Sequence, residues 1–264
     1  MFNPNELVLE KIRAVEEYDI STSELVGRYT QIENPSLKTS ASGTPVNDAM
    51  GAEIVTFYNA QNGIFSFTNS LFSLDLAATQ FGTAKEIAGA GNKIIVPVSE
   101  TIVVGADHTA VLKYVPVGVT GAEVKYAKVI NENNTFGKTY ESGVTASDGV
   151  FKIDAKAKKL TFDESVTGRV FVQYERESEA AVKVTKNTDS LPEVRSLLIH
   201  AIFHNPCNTN IVYAGVISIP RAQINPENVE LNLTADGKHS AEYKLQKPYC
   251  DETARLFDII VSED

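Results

Sequence analysis

The sequence predicts a mainly β protein with a short helix near its N-terminus and a small β-sandwich inserted into a larger β domain. Three observations carry this. From about Pro35 onward, turn signals interrupt the chain roughly every 8 to 15 residues. The runs between them are rich in β-branched and aromatic residues, which fit a pleated, half-buried surface. Charge is also unevenly distributed: residues 1–92 hold 5 Lys and Arg against 11 Asp and Glu, 93–186 hold 13 against 12, and 187–264 hold 6 against 11. Two acidic flanks around a neutral middle read as one discontinuous domain, 1–92 and 187–264, interrupted by another, 93–186. The junctions fall at Gly89-Ala90-Gly91-Asn92 and at Lys186-Asn187-Thr188-Asp189-Ser190.

In chain order, residues 6–17 place Leu9, Ile12 and Val15 at three-residue steps among charges, which predicts a short amphipathic helix. Ser21 with Glu24 reads as a capping box for a second helical turn ending near Gly27. Asn62-Gly63 lies between EIVTFY and IFSF and predicts a tight hairpin, because both residues tolerate positive φ. Residues 70–82 fit strand or helix equally. Further strands are expected at 94–98, 101–105, 110–115, 169–174, 195–203 and 211–219. Asp148-Gly149 separates two more strand-like runs. Asp236-Gly237 separates an alternating Val229, Leu231, Leu233 run from one carrying Ala241 and Tyr243.

Composition excludes several function classes. The 264 residues are 43% hydrophobic and 22% charged, enough for a substantial core. No run approaches the roughly 20 apolar residues of a membrane helix, and residues 1–20 lack the basic start and apolar stretch of a secretory signal. The net charge of −10 argues against standing attachment to DNA or an anionic bilayer, which needs clustered cations. Cys207 and Cys250 are read as reduced thiols rather than a disulfide. His200 and His204, four apart and followed by Cys207, would chelate one ion only on a helix. In a strand they share a face but sit roughly 13 Å apart. Gly89-Ala90-Gly91-Asn92-Lys93 lacks the spacing of a phosphate loop. No nucleophile–base pairing and no paired carboxylates appear, so no catalytic, cofactor-binding or metal-ligating residue is expected.

The segment Asn47-Asp48-Ala49-Met50-Gly51 through Ile54–Tyr58, the Asn62-Gly63 turn and Phe65-Ser66-Phe67-Thr68 is similar to bacteriophage tail tube proteins. So is Tyr213–Pro220 followed by Val229–His239. The resemblance covers about residues 40–85 and 205–262, and 93–186 looks like the Ig-like insertions of phage virion proteins. It implies a tail-tube-type β-sandwich or barrel subunit that forms hexameric rings stacked into a tube in the virion tail. The subunit would be made in the host bacterial cytoplasm. Its partners would be other copies of itself and other tail proteins, with DNA passing through an acidic lumen without stable binding, and with no membrane. Gln61, Asn62, Gly63, Phe65, Phe67 and Phe72 are the inter-subunit contact candidates. A capsid decoration, head or neck protein is the alternative. An adhesin module or a β-sandwich hydrolase fits less well, since no export signal, no Trp and no catalytic pairing are present.

Overall fold

The computed structural model describes residues 5–235, 237–249 and 255–263, and divides into two compact units. Unit 1 is Met1–Lys85 with Val184–Asp264; unit 2 is Glu86–Lys183. Unit 1 opens with β1 (Val8–Asp19), β2 (Leu25–Tyr29), β3 (Ile32–Ser40), β4 (Gly43–Asn47), β5 (Glu53–Tyr58), β6 (Asn62–Asn69) and α1 (Leu74–Phe81). Unit 2 holds β7 (Glu86–Ile87), β8 (Ile94–Val104), β9 (Thr109–Val111), β10 (Val124–Ile130), β11 (Phe136–Gly143), β12 (Val150–Asp154), β13 (Lys159–Thr161), β14 (Gly168–Ser178) and β15 (Val182–Lys183). The chain then returns to unit 1 with β16 (Val194–Asn205), β17 (Asn208–Ile224), a 3-10 turn at Pro226–Asn228, β18 (His239–Leu245) and β19 (Asp258–Ser262).

The large sheet of unit 1 runs β2-β1-β16-β17-β18-β6-β3. The 17-residue β17 is shared: Ala214–Ser218 pair with β19, whereas Ala222–Ile224 pair with β18. β3 comes back beside β1, so the sheet curls into a nearly closed barrel. Its core packs Val15, Tyr29, Phe65, Phe67, Leu197, Ile199, Ile219, Ile224 and Tyr243 with Leu76 from α1. The helix is bounded by its caps: Ser73 Oγ accepts the Leu76 N–H at 3.2 Å, and Gly82 closes it with φ of 66°.

In unit 2 the seven-stranded sheet runs β8-β14-β10-β11-β12-β13-β9 around Val124, Phe151, Leu160, Phe162, Val170, Val172 and Tyr174. β11 and β12 pair in parallel, so the Asp148-Gly149 turn, with Gly149 at φ 81°, does not close a simple antiparallel hairpin. β7 and β15 form a two-residue ladder that brings the two ends of the unit together. The runs 94–98 and 101–105 merge into β8, and 110–115 shortens to β9.

The N-terminal helix expected at 6–17 is strand β1, and the reason is visible in its register. Ladder irregularities fall between Leu9 and Lys11 and between Ile12 and Ala14. Each bulge adds one residue to a two-residue repeat, so Leu9, Ile12 and Val15 share a face opposite Phe203, Ala201 and Ile199; Val15 is buried, Ile12 packs on the core and Leu9 stays exposed at the strand's start. Three-residue spacing here records two bulges, not a helical turn. The second helical turn at 21–27 is also absent. Asp19 organises a β-turn there by accepting the Ser21 N–H at 2.8 Å and the Thr22 N–H at 3.0 Å, with Ser23 at φ 59°.

Asn62 and Gly63 are the first residues of β6, opposite Ser40 and Thr39, not a turn. Residues 229–233 form no strand. Asp236 of the expected Asp-Gly turn lies outside the described residues, as does Cys250; Cys207 is an exposed free thiol.

Candidate assembly interface

β3 and β6 form an antiparallel pair whose chain continues past the barrel as a second ladder, β4 with β5. The break between the ladders is held by Asn59, whose N–H reaches the Ser42 carbonyl at 2.9 Å. At the tip, Asp48 Oδ1 accepts the Met50 and Ala52 N–H groups at 2.8 and 2.9 Å, and Gly51 takes φ of 88°. Cross-strand pairing sets the two faces of this arm. Thr44 with Phe57 and Val46 with Val55 lie on one; Pro45 with Thr56, and Tyr58, lie on the other.

Neither face of the arm has a core behind it. Met50 is 94%, Phe57 64% and Tyr58 73% exposed, and Val46, Ile54 and Val55 are exposed as well. An isolated two-stranded hairpin is at best marginally stable in water. An apolar one left bare needs a surface to cover it. Asp48 and Glu53 are the only charged residues in 41–61.

The barrel presents two different outer surfaces. On β3, β6 and β18 the outward residues include Ser36, Lys38, Ile64, Ser66, Thr68, Ser240, Glu242 and Lys244, and Thr68 and Ser240 hydroxyls lie 3.0 Å apart. On β16, β17 and β19 they include the apolar Leu198, Ile202, Val212, Ala214, Val216 and Ile260, interrupted by His200, His204, Ser218, Asp258 and Ser262. The second surface carries more apolar side chains than the first. Polar pairs frame it. Glu16 bonds His200 at 3.0 Å, Arg28 at 3.0 Å and Tyr18 at 2.7 Å. Burial pushes the Glu16 carboxyl up, but the Tyr18 hydroxyl and the His200 ring outweigh it and hold the group below its ordinary value. Glu10 meets His204 at 2.6 Å, and that hydrogen bond, with the Thr209 carbonyl at 2.7 Å, lifts His204 above a free imidazole. Arg13 is exposed on the same rim and has no ion-pair partner among the described residues.

Inside the barrel sits a carboxylate that sequence reading missed. Glu17 is fully buried, and its oxygens accept hydrogen bonds from Tyr243, from Tyr29 at 2.6 Å and from Thr79 at 3.1 Å. It thereby ties β1 to β18, β2 and α1. Burial raises its pKa, and the three hydroxyl donors only partly offset this. Gly27 leaves room for the cluster: a Cβ there would lie 2.5 Å from the Tyr29 hydroxyl. The signal available in the sequence was Glu17 following Val15 at a two-residue step, an inward position once β1 is read as a strand. Thr79, which donates to Glu17, and Arg195 also line a cavity beside α1 with Asp75 and Lys85.

The six contact candidates separate. Gln61 and Asn62 are exposed where the arm joins β6. Gly63 is buried under Leu245, and a Cβ would meet that side chain at 2.9 Å. Phe65 and Phe67, each 2% exposed, pack in the core against Tyr243, with Phe67 5.6 Å from the Tyr29 ring. Phe72 is 45% exposed and stacks on His239 at 5.1 Å. His239 accepts the Ser73 N–H on Nδ1 and donates from Nε2 to Gln80 at 2.7 Å, and burial holds it below its ordinary value. The arm lies just N-terminal to these positions. Its signal was the run of apolar residues on alternate faces in EIVTFY, read as the first strand of an Asn62-Gly63 hairpin. His200 and His204 share the outer face of β16, each on its own carboxylate. Among the described residues no group of three or more His, Cys, Asp or Glu is placed to hold a metal ion, and no helix is long and apolar enough to cross a membrane. No protein-family model matches the chain, and no curated protein matches it.

Proposed function

We propose that this protein is a virion structural subunit of the bacteriophage tail tube kind, which polymerises into stacked rings through which DNA passes during ejection. The observation that carries this is the arm of residues 43–58, exposed and apolar on both faces. A monomer gains nothing from such an arm, whereas a polymer repeats it as a joint between copies. A curled barrel with strands of 12, 12 and 17 residues supplies the long sheet that ring formation would extend. Unit 2 is the Ig-like insertion of this scheme, carried without interrupting the barrel because its ends meet at β7 and β15. Ion pairing refines the part played by charge: Glu10, Glu16, Glu33 and Glu227 each have a cationic partner, which locally neutralises part of unit 1's acidity. The subunit acts by assembly and needs no cofactor.

Negative-stain electron microscopy of the purified full chain tests this. Stacked rings of uniform bore are the expected result. A chain that stays monomeric at every concentration and salt condition removes the proposal.

A further inference from the structure

We infer that the arm of one copy docks on the apolar outer face of β16 and β17 of the next, with Arg13 and Arg28 meeting Asp48 and Glu53. This rests on the assembly reading above and names the surface that completes it. Two observations select this occupant. The first is fit of character. The receiving face offers Ile202, Val212, Ala214 and Val216 in a shallow groove rimmed by Arg13, Arg28 and His200. The arm offers Val46, Val55 and Phe57 on a face with nothing behind it.

The second is charge. The arm carries two carboxylates and no cation. Among the described residues Asp48 and Glu53 form no salt bridge; Asp48 caps its own turn and Glu53 accepts the Thr56 hydroxyl. Arg13 on the rim is likewise without an ion-pair partner among the described residues, and Arg28 reaches Glu16 through Nε alone. A strand of five or six residues is about 17–20 Å long, a length that spans several residues of β17. The outer face of β3, β6 and β18 also carries a cation without an ion-pair partner among the described residues, Lys38, but Ser36, Ser66, Thr68, Ser240, Glu242 and Lys244 leave it no apolar floor. Arm and groove are different patches of one chain, so the contact is head-to-tail and propagates from copy to copy.

The test uses the full chain, charge reversal and mixing, read by sedimentation velocity and electron microscopy. Arg13→Glu and Glu53→Lys are each expected to weaken association by about tenfold or more, since a like-charge contact replaces a complementary one. Mixing the two variants is expected to restore assembly, because each then meets a complementary partner. Circular dichroism of each variant reports that it remains folded. A second measurement joins arm to groove covalently: Phe57→Cys with Val212→Cys, in a chain whose Cys207 and Cys250 are Ser, should oxidise to interchain disulfides.

Wild-type assemblies that are indifferent to both reversals overturn the inference while leaving the assembly reading standing. So do single variants that fail without rescue on mixing, or a disulfide that forms within one chain. A wild-type chain that never associates overturns both.

Discussion

Replacing Glu17 with Ala should destabilise unit 1 strongly, and the size can be worked from its contacts. Thr79 keeps a second acceptor, the Asp75 carbonyl at 3.2 Å. Tyr29 and Tyr243 are both buried and would lose the acceptor that their hydroxyls reach. Two orphaned buried donors cost about 1–3 kcal/mol each, so about 2–6 kcal/mol together. Removing a carboxyl that burial has pushed up returns about 1.4 kcal/mol per pH unit of that shift once the solution is alkaline to it. A net loss of about 2–4 kcal/mol at neutral pH follows. Glu17→Gln keeps the shape and a carbonyl acceptor, and should cost about 1 kcal/mol or less.

The pH dependence has a definite sign. Because folding raises this acid's pKa, the folded chain binds more protons between the unfolded and folded values. Stability therefore falls as pH rises through that window. Glu17→Gln abolishes this slope, so its deficit against wild type should shrink as pH rises from the ordinary glutamate range. Denaturant unfolding, followed by hydrogen exchange in β1 and β18, reads unit 1 specifically. An Ala variant within about 1 kcal/mol of wild type, or a Gln variant as damaged as Ala, would refute the reasoning.

Gly82→Ala should cost about 2 kcal/mol or more, since φ is positive and the new Cβ would fall 2.0 Å from the Leu191 carbonyl oxygen; an unchanged melting temperature would show that the cap is not rigid. Gly215→Ala should cost about 1–3 kcal/mol, because its Cβ would lie 2.3 Å from the Phe203 ring, and calorimetry measures it. In NMR titration, His204 should titrate above a free imidazole, and Glu10→Gln should bring it down. The stability this pair contributes is present below the unfolded imidazole value and disappears as pH rises through the folded one. A His204 that titrates alike in both chains would rule out the pair as its cause.

Much of the β architecture was legible because alternation survives wherever strands are regular: Phe65 and Phe67, Leu197 and Ile199, Ala241 and Tyr243 all step by two into the core. Where the pattern was broken, the reading broke with it. Two bulges in β1 turned a two-residue repeat into an apparent helical one. Residues 70–82 resisted assignment because the cap pair Ser73 and Gly82, not periodicity, defines that helix. Asn62-Gly63 misled for another reason. Its flanking strands do not pair with each other; β5 pairs with β4 and β6 with β3. Local sequence offers equal turn signals at both ends of EIVTFY, and only long-range pairing decides between them. The candidate site was half visible for the same reason. The exposed apolar arm was read as one strand of an Asn62-Gly63 hairpin, and two of the named contacts, Phe65 and Phe67, fill the core.

The most direct test shortens the arm and leaves the barrel alone. Ser40 and Asn62 are the last pair of the β3–β6 ladder, so an Asn-Gly turn can replace the residues between them and close a short hairpin. Electron microscopy of wild-type and shortened chains side by side should then show tubes from the first and folded, dispersed particles from the second. Tubes from both, or from neither, would contradict the assembly account.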